Sequence, residues 1–126
     1  MITPADVLRE AQALFGMDDG DEVRRRTAVS RAYYAAYHHA RCAAEADGYR
    51  EDGKASVHWQ LQRHYSGKAN PKQRRIAQFL RNLKGLRVRA DYRLSEALSV
   101  SEAREALSLA AHIVTQIDRI SQDKPA

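Results

Sequence analysis

One arginine stands where a hydrophobic residue would be expected. At about 100° per residue, Ile76, Phe79, Leu80, Leu83, Leu86 and Ala90 trace one apolar stripe along residues 72–92. Arg87 falls inside that stripe, whereas Arg81, Lys84 and Arg89 lie off it. A guanidinium aimed at a core keeps its charge, so it needs paired acceptors or a water-filled cleft. Two outcomes follow. It is an internal ion pair or a stem that snorkels outward, or it is a phosphate-binding arginine at a cleft. A second column supplies other chemistry. Arg31, Tyr34, His38, Arg41 and Glu45 recur every three or four residues and share one helix face. His38 could carry protons near neutral pH; a histidine on a helix also serves as a surface or packing residue.

No further chemistry shows itself. The chain has no phosphate-cradling glycine loop and no paired-histidine zinc motif. His38, His39 and His58 are too scattered to argue for a metal, and no acidic cluster suggests bound magnesium. No metal and no cofactor is expected. Trp59 reads as a core or loop anchor rather than a base-stacking platform.

These residues need helices to hold them. Thr3-Pro4-Ala5-Asp6 combines a cap, a proline in the first helical position and an acid in the first turn. Val7, Leu8, Ala11, Leu14 and Phe15 follow at helical spacing, until the acidic segment Asp18-Asp19-Gly20-Asp21-Glu22 ends the first helix. Asp21 can cap a longer, alanine-rich helix to about Ala46. Its face opposite the Arg31 column carries Ala28, Ala32, Ala35, His39 and Ala43, with Tyr33 and Tyr37 beside it. Such a helix could be buried on two sides, against its own bundle and against a second copy. Residues 48–54 read as a loop, and a short helix is predicted from Ser56 to about Tyr65. Asn70-Pro71 starts the helix that carries Arg87; Gly85 weakens that helix without having to break it. Ser99-Val100-Ser101-Glu102 is a capping box opening a last helix, with Ala103, Leu107, Ala110, Val114, Ile117 and Ile120 on its buried stripe. The pattern predicts an all-α fold, an up-and-down four-helix bundle with one extra short helix. It forms a single domain over 1–126, with its core about 4–121 and a tail at 122–126.

Composition sets the context. With 44% hydrophobic and 29% charged residues, the 126-residue chain reads as globular rather than disordered. No run of eighteen apolar residues occurs, so no membrane span is expected. The N-terminus lacks a signal pattern. Cys42 is the single cysteine, which excludes an internal disulfide and a multi-cysteine zinc site. A cytoplasmic location is the expectation. The net charge is +5 and the pI is about 9.6. Between Lys72 and Arg93 there are eight cations, and Asp91 is the only acid. That run is either a solvated helix face or a surface facing RNA.

Ser30-Arg31-Ala32-Tyr33-Tyr34-Ala35-Ala36-Tyr37-His38 resembles the second-helix signature of prokaryotic HEPN-domain proteins. Leu86-Arg87-Val88-Arg89-Ala90-Asp91-Tyr92 resembles the Leu-Arg-x-x-Ala-Asp-Tyr segment of one small HEPN subgroup. The resemblance runs from about Ala5 to Ile120. It implies a helical bundle that dimerises and forms a cleft between its copies. Many such proteins are metal-independent endoribonucleases with an arginine followed, four to six residues on, by a histidine. In these the RNA 2′-hydroxyl attacks the neighbouring phosphate, the histidine manages protons and the arginine stabilises the phosphorane. Some are toxins neutralised by a minimal nucleotidyltransferase that modifies a tyrosine near the motif. In this chain Arg93 stands six residues after Arg87, and Asp91 lies near the histidine's place. An aspartate is a poor general acid at neutral pH unless burial raises its pKa. Arg31 and His38 have six residues between them, but on the second helix.

The reading that follows is a HEPN module binding RNA or a nucleotide at a homodimer cleft, which could be the toxin-like half of a HEPN/minimal-nucleotidyltransferase toxin–antitoxin pair with endoribonuclease activity. Arg87, Asp91 and His38 are its candidate catalytic residues; Arg31, Tyr34, Arg87, Arg89 and Tyr92 are its candidate binding residues. The alternative is a non-catalytic dimerising protein that holds a nucleotidyltransferase or another partner, with Arg87–Asp91 a structural ion pair. A third reading is a ribonuclease using His38.

Overall fold

The computed structural model describes residues 1–17 and 20–123. Asp18 and Asp19 of the acidic segment, and residues 124–126 of the expected tail, lie outside the described residues. Five helices follow one another: α1 (Pro4–Gly16), α2 (Glu22–Ala46), α3 (Val57–Ser66), α4 (Pro71–Tyr92) and α5 (Val100–Gln122). No strand occurs among the described residues, and the fold is the expected all-helical bundle with α3 as its short extra helix.

Each helix starts where its side chains can satisfy free backbone N–H groups. Thr3 and Asp6 form a reciprocal capping box on α1, with Pro4 in the first turn. Asp21, Ser56 and Asn70 cap α2, α3 and α4. Ser99 and Glu102 form the second capping box, on α5. Replacing Ser99 with alanine should therefore lower the unfolding free energy by about 1 kcal/mol in urea titrations, with the denaturant slope unchanged.

Helix α2 lies at the centre, against α1, α5 and α4, while α3 rests mainly on α4. Ala28, Ala32, Ala35, Ala36, Ala40 and Ala44 are fully or almost fully buried. Their small side chains let neighbouring helices approach closely, and Ile76, Leu80, Leu83 and Ile113 fill the space between. Leu61 and Tyr65 anchor α3, and the Tyr65 hydroxyl donates to the Ala40 carbonyl at 2.6 Å. His39 reaches across to Asp118 on α5, Nε2 to Oδ1 2.7 Å. Gly85 sits exposed within an unbroken α4. Trp59 corrects an expectation: it is 48% exposed rather than a core anchor, with the Arg63 guanidinium 5.2 Å from its ring. It stands on the outer side of a short helix whose inner side is already filled by Leu61 and Tyr65.

A second buried arginine, Arg26, ties α2 to the end of α4. Its Nη1 donates to the carbonyls of Arg89 (2.9 Å), Ala90 (3.1 Å) and Arg93 (3.3 Å). Its Nη2 donates to the Glu96 carbonyl and to Glu22. A helix leaves its last carbonyls without intrahelical partners, and here one guanidinium takes up those of Arg89 and Ala90 together with two from the loop that follows. Glu22 also accepts from the Leu98 backbone N–H at 2.7 Å, so the start of α2 holds the α4–α5 loop.

Candidate functional site

The spacing of the Ser30–His38 segment sets Ser30, Tyr33, Tyr34 and Tyr37 on the sides of α2 that meet α4 and α3. The α4 stripe turns Arg87 toward them, leaving it 9% exposed. Its Nη2 donates to the Tyr34 hydroxyl at 2.5 Å. Its Nε lies 2.9 Å from Asp91 Oδ2. That N–H is not directed at the carboxylate and has no hydrogen-bond partner, so the contact is one of charge. The same Asp91 oxygen accepts from the Ser30 hydroxyl at 3.1 Å. Three aromatic rings surround the guanidinium, with Cζ 5.8 Å from the centroid of Tyr33, 5.1 Å from Tyr34 and 5.3 Å from Tyr92. Tyr92 is 68% exposed, so the cluster opens to solvent on its side.

Tyr33 is buried, and its hydroxyl pairs with His58 Nδ1 at 2.5 Å. Burial, reinforced by the neighbouring Tyr37, drives the Tyr33 pKa well above the usual phenol range, so it stays a neutral hydroxyl. Tyr37 is pushed up to about 12 by burial and by Glu51. Tyr34 also forms part of a second feature. With Arg31, His38 and Cys42 of α2 and Ile2, Thr3, Pro4 and Val7 of the α1 end, it lines an open groove of about 570 Å³. Arg31 and His38 are exposed there. The His38 ring stacks 6.2 Å from that of Tyr34. One phenol thus joins Arg87 to the groove that holds Arg31 and His38.

A family model described as the HEPN domain matches residues 6–120. The chain belongs to the HEPN family. HEPN domains are generally nucleotide- or RNA-related, are often ribonucleases and commonly dimerise. No curated protein and no solved structure matches the chain.

In this HEPN domain the candidate residues divide into two sets. Arg87, Asp91, Tyr34 and Tyr92 share one cluster, and Arg31 and His38 adjoin it through Tyr34. Arg89 lies elsewhere: its guanidinium is held by Glu102 of α5 and donates to the Ala97 carbonyl at 3.0 Å. Ser30, Tyr33 and His58 belong to the cluster although no sequence reading assigned them a role. Ser30 and Tyr33 lie within the HEPN-like segment itself. His58 had no local signal, because its partner is on another helix. No group of three or more His, Cys, Asp or Glu side chains among the described residues could hold a metal ion. No helix there is long and apolar enough to cross a membrane.

Two half-buried histidines predict the direction of acid sensitivity. Burial lowers the pKa of His58, with Lys84 and Arg87 adding to the effect. Burial and Lys68 lower that of His64. Both resist protonation in the fold, so below the unfolded value of 6.5 the unfolded chain binds more protons. Stability is full above that value and falls as the pH drops from it toward the lowered folded values. Urea titration should give a lower midpoint at about pH 5.5 than at about pH 7.5, and His64→Gln should shrink the difference.

Proposed function

We propose that this HEPN domain binds RNA or a nucleotide at a cleft completed by a second copy, with Arg87 as the phosphate-binding group. The observation that carries the reading is a buried guanidinium whose charge meets one carboxylate, shared with Ser30, inside a ring of three tyrosines that is open at Tyr92. Positive charge with aromatic faces is the combination single-stranded nucleic acid uses, phosphate on the cation and base on the ring. Arg31 and His38 extend the site along the adjoining groove. The reading includes a toxin-like role, with a minimal nucleotidyltransferase as the protein partner.

The test is RNA binding by fluorescence anisotropy, with chelator present, for wild type and Arg87→Ala. Light scattering across a dilution series reports the dimer. Equal affinity for the two proteins at equal melting temperature would remove Arg87 from the site.

Two observations favour other readings. The Arg87–Asp91 contact fits a structural ion pair in a non-catalytic interaction protein; there Arg87→Ala lowers the melting temperature and RNA affinity is absent from the start. His38, exposed in the groove, fits a metal-independent ribonuclease. That reading requires products with 2′,3′-cyclic phosphate ends, abolished by His38→Ala.

A further inference from the structure

We propose that the outer face of α4, centred on Gly85, is a docking groove for an acidic helix of a partner protein. The groove is open and holds about 450 Å³. It lies on the side of α4 turned away from Arg87, so it stands independently of the phosphate-binding reading.

Gly85 has no internal reason to be glycine. Glycine inside a helix is less stable than alanine. Packing does not require it here, because a Cβ added at Gly85 would meet nothing within 4 Å. Its backbone does not need the freedom either: α4 runs unbroken from Pro71 to Tyr92, and the φ of Gly85 is not positive. What the missing side chain does is lower the floor of the groove, between Arg81, Lys84, Val88 and Arg89. Bare backbone at that floor lets a second chain come close.

The surrounding charges say what kind of chain fits. At about 100° per residue, Gly85 and Val88 run along the middle of this face, in line with Arg81. Lys84 falls to one side and Arg89 to the other, and Arg93 closes the far end. A small or aliphatic seam bordered by charge is how one helix receives another. At the far end the cations already take carboxylates. Glu102 of α5 holds Arg89, and Glu96 lies 3.7 Å from Arg93. The half around Gly85 is different. Arg81 has a neutral partner, the Gln78 side chain at 3.2 Å. Lys84 makes no hydrogen bond or ion pair among the described residues. Two cations one helical turn apart therefore stand without a carboxylate. The occupant that completes them presents two carboxylates one turn apart beside a small or aliphatic residue. A nucleic acid fits less well, because none of the described residues lining the groove is aromatic and a base has nothing to stack on.

The test is an NMR titration of nitrogen-labelled protein, followed through the backbone amides of Lys84, Gly85, Val88 and Arg89. One probe is a synthetic helical peptide of about four turns, with glutamates one turn apart beside leucine and alanine. The second is the same peptide with glutamine in place of every glutamate, and the third is a short single-stranded RNA. The proteins are wild type, Gly85→Ala, Gly85→Gln and Lys84→Gln, with melting curves for each. The acidic peptide should move those amides, and the other two probes should leave them in place. Both Gly85 variants should melt about 2–5 °C above wild type. Both should bind the acidic peptide more weakly, Gly85→Gln by about tenfold or more. A gain in stability with a loss of binding cannot come from unfolding. Lys84→Gln should melt as wild type does and lose about two- to fivefold in affinity. Unmoved amides with the acidic peptide, or unchanged affinity in Gly85→Gln, overturns the groove as a docking site. Equal binding of the glutamine peptide, or unchanged affinity in Lys84→Gln, overturns the acidic partner. Movement of the same amides by RNA at a lower concentration than the peptide assigns the face to nucleic acid and overturns the proposal too. None of these outcomes bears on Arg87, whose own test is the Arg87→Ala comparison.

Discussion

Arg26→Ala should unfold far more readily than wild type, by about 3–5 kcal/mol in urea and roughly 10–20 °C in melting temperature. The side chain is only 9% exposed and donates to four backbone carbonyls and to Glu22. The Arg89 and Arg93 carbonyls keep backbone donors, from the N–H groups of Arg93 and Glu96, but truncation leaves the Ala90 and Glu96 carbonyls facing a void, and a buried acceptor without a donor costs about 1–3 kcal/mol. Water entering the gap recovers part of that. Arg26→Lys should fall between the two, because one ammonium cannot span carbonyls on both sides of a planar fork. A loss below about 1 kcal/mol for Arg26→Ala would mean that the α4–α5 junction is held by something else. The consequence reaches the site. Arg26 holds the last turn of α4, which carries Asp91 and Tyr92, so this variant should also weaken any ligand that uses them.

Arg87→Ala is the second large effect, and the readings differ in whether RNA affinity falls along with stability. If Arg87 binds phosphate, RNA affinity should fall roughly ten- to a hundredfold, the loss of a charge-assisted, partly desolvated contact. Stability should fall too, because Asp91 loses its countercharge, though Asp91 is partly exposed and water offsets some of the cost. Asp91→Asn separates the two roles. It keeps the size of the side chain and its bond from Ser30 but removes the negative charge competing with a phosphate. The functional reading expects RNA affinity equal to or above wild type. The structural reading expects Asp91→Asn and Arg87→Ala each to lower the melting temperature, and the double variant to lose less than the sum. Anisotropy and calorimetry on the same four proteins decide the matter.

Part of the site was legible from spacing. Arg87 stood out because its neighbours at three and four residues are apolar, and that pattern survives folding as a buried stripe. Asp91 was visible as the residue one turn later. The Tyr34–His38 relation was likewise a matter of helical register. Arg26 was not legible. It sits in the run Arg24-Arg25-Arg26, which resembles a solvated helix start, and most of its partners are backbone carbonyls more than sixty residues away. A carbonyl has no residue type, so no pattern of letters marks it. His58 was missed for a related reason: Tyr33 lies 25 residues earlier, on a different helix.

The eight cations between Lys72 and Arg93 show the division most clearly. The sequence by itself determined that seven of them lie on one helix with Arg93 just past its end, which of them faces the apolar stripe, and where that helix begins. Those are consequences of local hydrogen bonding and a period of 3.6 residues, which a chain carries wherever it packs. Only the tertiary structure decided what each cation does. Arg89 is held by Glu102, Arg93 lies 3.7 Å from Glu96, Arg87 is enclosed by tyrosines, and Lys84 lines an open groove with Arg81, Val88 and Glu96. Charge interactions act through space and fall with distance and with exposure to water. Their outcome therefore depends on which helices lie side by side.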